Sequence, residues 1–124
     1  MPNLLYEDLS EKIRQSAYEV HKYFGNGYLE KVYENALAYK LRQNNIRCDQ
    51  QVPVNVYFEN DVIVGEYFAD LLIDNKIVIE LKAVEIIDKI HYAQLKNYLK
   101  ATKYRLGILI NFGRPIMSFK RIIL

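Results

Sequence analysis

The stretch Val62-Ile63-Val64-Gly65-Glu66-Tyr67-Phe68-Ala69-Asp70-Leu71-Leu72-Ile73, Asp74-Asn75-Lys76, Ile77-Val78-Ile79-Glu80-Leu81-Lys82-Ala83 decides how this chain folds. Two runs rich in branched and aromatic side chains flank a turn of Asp, Asn and Lys, the pattern of two antiparallel strands. If that turn is a three-residue loop, Ile73 faces Ile77 and Asp70 faces Glu80. Directly opposed residues share a face, with Cβ atoms about 4.5–5.5 Å apart, so two carboxylates placed there repel. Such an arrangement persists where something positive sits between them. Lys82, two residues beyond Glu80, projects from the same face because strand side chains alternate with period two.

Upstream, Val52, Val54, Val56 and Phe58 alternate with Gln51, Pro53, Asn55 and Tyr57, as a half-buried strand should. Pro53 points to the edge of the sheet. Glu59-Asn60-Asp61 turns this strand into Val62–Ile73. Two helices precede it. Leu5, Leu9, Ile13, Ala17, Val20 and Phe24 form one apolar face over Leu5 to Phe24, which Gly25-Asn26-Gly27 ends. Leu29, Tyr33, Ala36, Leu37 and Leu41 form the stripe of a second helix, Leu29 to Gln43. Downstream, the third strand (Ile77 to Ala83) leads to a helix expected over Glu85 to Thr102. A buried strand from Arg105 to Phe112 follows, and after Gly113-Arg114-Pro115 a last strand within Ile116 to Leu124. The order predicts an α/β fold of the α+β kind, a mixed sheet with helices packed on it.

At 124 residues, half of them apolar, the chain reads as one domain (1–124) able to bury a core without staples. The single cysteine, Cys48, has no disulfide or metal-ligand companion, so a reducing, cytoplasmic setting is expected. Met1 to Asp8 lacks the basic and apolar regions of a signal peptide. No apolar run approaches the roughly 20 residues of a membrane span, so no membrane partner is expected. A net charge of +2 advertises no strong electrostatic footprint, although Lys100, Lys103, Arg105, Arg114, Lys120 and Arg121 make the last quarter locally basic. Eleven tyrosines and no tryptophan fit either a tyrosine-closed core or an aromatic surface for stacking or a partner.

Asp70, Glu80 and Lys82 on one face suit a hard divalent cation and a phosphodiester. Magnesium, or manganese, takes one or two protein carboxylates and leaves room for water and phosphate. Lys82 would orient the attacking water or stabilise developing charge. The plain alternative is two carboxylates splayed to solvent around a surface salt bridge. Stepping about 100° per residue along the second helix puts Glu30 between Leu37 and Leu41 on the apolar face. The same step puts Gln94 inside the arc of Ile87, Ile90, Tyr98 and Ala101 on the third helix. A carboxylate and an amide aimed at the core are costly unless paired. Glu30 is a candidate third metal ligand, against a lysine or tyrosine partner. Gln94 is a candidate orienting group, against a backbone hydrogen bond. His91, one turn before Gln94, is either a satisfied helix histidine or a substrate-binding group.

These residues resemble a known family. Gly27-Tyr28-Leu29-Glu30-Lys31-Val32-Tyr33 fits the signature of the GxxExxY proteins. Gly65 to Leu72, Val78 to Val84, His91-Tyr92-Ala93-Gln94-Leu95 with Asn97-Tyr98-Leu99, and Leu106 to Gly113 resemble the same family. That family is grouped with the PD-(D/E)xK nuclease superfamily, whose restriction-endonuclease-like core runs helix, three strands, helix, strand. Here an extra N-terminal helix and a C-terminal strand would be added. The resemblance implies Asp70 and Glu80 as metal ligands, Lys82 as the catalytic lysine and Glu30 in the place of a helical acidic or histidine ligand. Gln94 and Tyr98 match a Gln-x-x-x-Tyr helix, in which Gln94 supports the site and Tyr98 the substrate or the core. Phe68-Ala69-Asp70 lacks the proline of the name-giving motif. The expected function is a Mg- or Mn-dependent phosphodiester hydrolase acting on DNA, with RNA second. The alternative is a catalytically silent nuclease-fold binding or assembly module. In either case a homodimer or protein partner would extend substrate reach.

Overall fold

Leu9, Ile13, Ala17 and Val20 recur on one side of helix α1 (Glu7–Phe24) and turn toward the core with Tyr33, Leu37, Ala38 and Leu41 of α2 (Glu30–Gln43). Strands β1 (Cys48–Phe58), β2 (Val62–Ile73) and β3 (Ile77–Lys82) follow, then helix α3 (Lys89–Ala101), β4 (Leu106–Asn111) and β5 (Ser118–Ile123). This computed structural model describes residues 4–124, so the first three residues of the Met1–Asp8 segment read for a leader lie outside it. Among the described residues no helix is long and apolar enough to cross a membrane.

The five strands lie in the order β1-β2-β3-β4-β5, antiparallel except for β3 and β4, which the α3 crossover makes parallel. This is the expected mixed α/β architecture, with Pro53 in an edge strand. One apolar cluster joins α1 and α2 to the sheet through Leu71, Ile73, Ile77, Ile79, Ile108 and Ile110. A second places Leu95 and Leu99 of α3 on Val54, Ala69, Leu72, Val78 and Leu109.

Two expectations need correction. Helix α3 begins at Lys89 rather than Glu85, because His91 Nδ1 accepts the Asp88 N–H at 3.0 Å as part of a capping box. Its buried arc is Tyr92, Leu95 and Leu99, rotated by about 100° from the expected one. Ile87 lies outside the helix, and Ile90 and Ala101 are exposed, so they do not define its core face. Within β1 the alternation of Val52 and Val54 against Pro53 holds, but it does not extend back to Cys48. Cys48, Leu71 and Ile73 pack toward α1 and α2, whereas Val54 and Ala69, of the same parity, pack toward α3. The faces exchange at Gln51, a non-glycine residue at φ 53, between the pairs Gln50–Leu71 and Val52–Ala69. Asp70 lies across from that kink.

Candidate functional site

The β2–β3 ladder pairs Ile73 with Ile77, Leu72 with Val78 and Leu71 with Ile79, as a three-residue turn requires, and then stops. Asp70 and Glu80 are the next residues, at the point where the two strands part. With the ladder ended, Asp70 Oδ2 takes the place of a backbone carbonyl and accepts the Leu81 N–H at 2.8 Å. Its Oδ1 accepts Gln51 Nε2 at 3.3 Å.

Glu80 has no such support. It is 7% exposed, and its Oε1 is buried with no hydrogen-bond partner. Burial pushes its carboxyl up to about 9, the neighbouring Asp70 charge and a hydrogen bond to Asp70 add to the rise, and Lys82 offsets only part of it. The fold thus favours the protonated form of Glu80. Lys82 is half-buried beside both, yet makes none of the ion pairs found among the described residues. The salt-bridge alternative for this face is thus not what forms.

Glu30 reaches the same place from the first turn of α2. The residue is exposed, and its carboxyl lies within the electrostatic reach of Lys82, Asp70 and His91. Partial burial raises its proton affinity, Lys82 lowers it, Asp70 raises it, and the Ala83 amide and His91 lower it. Two structural bonds fix this position. Tyr33, stacked on Phe112 with ring centroids 4.5 Å apart, donates its hydroxyl to Gly25 O at 2.6 Å and accepts the Tyr28 N–H at 3.3 Å. Gly25 at φ 68 and Gly27 at φ 115 supply the left-handed turn that this clamp holds. Tyr33 thus ties the Gly25–Tyr28 turn to the start of α2, the turn from which Glu30 projects.

Sequence reasoning missed three polar residues. Glu34 is buried one turn beyond Glu30 and accepts Gln50 Nε2 at 2.7 Å, Gln51 Nε2 at 2.7 Å and Lys31 Nζ at 3.0 Å. Gln51 therefore bridges Glu34 to Asp70. Stepping 100° per residue would have found Glu34, which falls between Leu41 and Ala38 on the apolar arc. Gln51 carried no signal, since a left-handed residue inside a strand has no sequence mark when it is not glycine. Asn111 is the third. Its Oδ1 accepts Val84 N–H and Gly113 N–H, both at 3.0 Å, and its Nδ2 donates to Val84 O at 2.9 Å. It staples the backbone just past Lys82. A Cβ at Gly113 would lie 2.3 Å from the Val84 backbone, so only glycine permits that approach.

The α3 residues divide. Tyr98 is half-buried beside the carboxylates: burial first, then the charges of Glu80 and Asp70, push its phenol up to about 12. His91 is half-buried in the α3 cap and near enough to influence Glu30. Gln94 is exposed, and no hydrogen bond joins it to the cluster, a consequence of the rotated helix face.

Among the described residues no three His, Cys, Asp or Glu side chains converge as a ready-made ion cage. The orphaned Glu80 oxygen and the paired Asp70 and Glu80 carboxylates nevertheless fit a hard divalent ion, which needs only one or two protein carboxylates.

Comparison with curated proteins gives no match. Among solved structures the fold is similar to the crystal structure of SSO0001, with a TM-score of 0.59 and 20% identity over 92% of this chain. The chain spans 62% of that protein's length. Residues 7–122 match the sequence profile of the PD-(D/E)XK nucleases, which typically use divalent metals. The chain therefore belongs to the PD-(D/E)XK nuclease superfamily.

Proposed function

We propose that this chain, acting as one domain, is a magnesium- or manganese-dependent phosphodiester hydrolase of the GxxExxY type, with DNA as its first substrate and RNA second. The observation that carries this reading is the Asp70–Glu80 pair at the parting of β2 and β3, with one buried oxygen left without a partner. Buried polar atoms are rarely left so, and an exception calls for a ligand or a strained function. Asp70 and Glu80 would hold the ion, and Glu30 on α2 would have to move toward them to serve as a third ligand. When bound, that ion supplies charge neutralisation at the phosphate and a lowered pKa for water. Lys82, free of any ion pair, orients the attacking water and stabilises charge developing on the phosphoryl oxygens. His91 and Tyr98 flank the substrate. Gln94 supports it from the exposed margin, and a second copy or protein partner extends reach.

The test is cleavage of nucleic acid by purified protein with magnesium or manganese. Lys82→Ala should lower the rate by at least about 100-fold, the scale of losing one electrostatic contact to a transition state, with the melting temperature unchanged. Equal cleavage by the Lys82→Ala protein would mean that another enzyme contaminates the preparation, and the proposal would fall.

A further inference from the structure

An open groove of about 450 Å³ lies between the β1–β2 hairpin and the second half of α3. Its walls are Val56, Tyr57 and Tyr67 on the hairpin, and Asn97, Lys100 and Ala101 on the helix. Tyr67 is 49% exposed, and its ring meets Tyr98 with centroids 5.3 Å apart at 60°. Tyr98 in turn stands beside Glu80 and Asp70. Tyr98 thus touches the groove wall through Tyr67 and lies within electrostatic reach of the candidate catalytic carboxylates. The lining has two phenols, an amide and one cation, and no carboxylate. Helix α3 as a whole carries Lys89, Lys96 and Lys100 and no acidic residue. Along the hairpin, Glu66 alternates with Tyr67 and so faces away from this wall.

We infer that this groove is a single-strand subsite, in which Tyr67 stacks on an unpaired base and Lys100 meets the adjoining phosphate. The inference rests on the nuclease reading for the direction in which the strand leaves the carboxylates. A single strand, not a duplex, fits the chemistry. Aromatic side chains stack on bases whose faces are free, and a duplex hides those faces. Duplex binding draws its affinity from many phosphate contacts, and this wall offers one lysine within a domain of net charge +2. Stacking tolerates any base, so the subsite grips without reading sequence.

The chain contains no tryptophan, so Tyr67→Trp creates a single fluorescent reporter in the groove. In chelator, where cleavage is prevented, an oligothymidylate should quench that tryptophan and a duplex of equal length should not. A reporter at Tyr39→Trp, exposed on α2, should respond to neither. Anisotropy of a labelled oligothymidylate should show Tyr67→Ala weakening affinity by about fivefold or more, with Tyr67→Phe close to wild type. Lys100→Ala should reduce the salt dependence of binding. The inference is overturned if the strand leaves the Tyr67→Trp signal unchanged or if duplex quenches it equally. It also falls if the signal shifts with protein concentration alone, which would make the groove a contact between copies. Cleavage under magnesium is scored separately: cleavage without quenching removes only the subsite, and quenching without cleavage removes only the nuclease reading.

Discussion

Two polar clusters flank the end of β3, and they are built on opposite principles. On one side Asn111 satisfies Val84 and Gly113 with three hydrogen bonds, and Tyr33 closes the Gly25 turn with two. On the other, Glu80 is buried with an unpartnered oxygen against a second carboxylate, and Lys82 beside them makes no ion pair. Buried polar groups that serve structure are satisfied, because each unmade bond costs about 1–3 kcal/mol. Glu80 Oε1 shares its lack of a protein partner with Asn55 Oδ1 and Arg121 Nε, and what sets it apart is the neighbouring Asp70 carboxylate.

The comparison breaks most visibly at Asn111. Asn111→Ala leaves two backbone donors and one acceptor around Val84 and Gly113 without partners. It should cost about 2–4 kcal/mol, the same in chelator and in magnesium, measured by urea unfolding. A loss that magnesium repairs would move Asn111 from the structural cluster into the functional one.

The opposite sign is expected at Glu80. Its folded carboxyl titrates at about 9, above the ordinary carboxylate range, so the fold favours the protonated form. That contribution is fully present below the usual carboxylate pKa and is lost progressively as pH rises toward 9. Metal-free wild type should therefore lose stability across this window. Glu80→Gln should flatten the slope and gain about 1–3 kcal/mol at neutral pH, in thermal melts with chelator. With magnesium the gain should vanish or reverse, because an ion that binds only the folded state stabilises wild type by mass action. A variant less stable than wild type at every pH in chelator would show that Glu80 serves the core.

Much of this contrast was legible in the sequence. The Asp-Asn-Lys turn fixed the register of β2 against β3, and that register brings Asp70 to Glu80. Helical stepping put Glu30 on the core face of α2, but in the first turn it is exposed, and the buried carboxylate of that face is Glu34. Gln94 is exposed: Ile90 and Ala101, both exposed, imitate a core face, whereas Leu95 and Leu99, flanked by Tyr92 and Tyr98, define it. The kink at Gln51 was invisible, since backbone strain at a non-glycine residue is held by neighbours distant in sequence. Here they are Glu34 and Asp70, which both accept its amide. Asn111 lies in the Leu106 to Gly113 stretch that resembles the family, yet its partner Val84 lies across the sheet end, where no local pattern reports it.

In the proposed function a divalent cation beside Asp70 displaces the proton that the fold favours on Glu80. Ligands must be deprotonated to bind a metal, so ion binding must expel that proton. Calorimetric titration with manganese at neutral pH, in two buffers of different ionisation enthalpy, measures the release directly. The account predicts about one proton released per ion, falling toward zero as the buffer pH passes Glu80's value of about 9. Manganese that does not bind, or that binds with heats independent of the buffer, would contradict it.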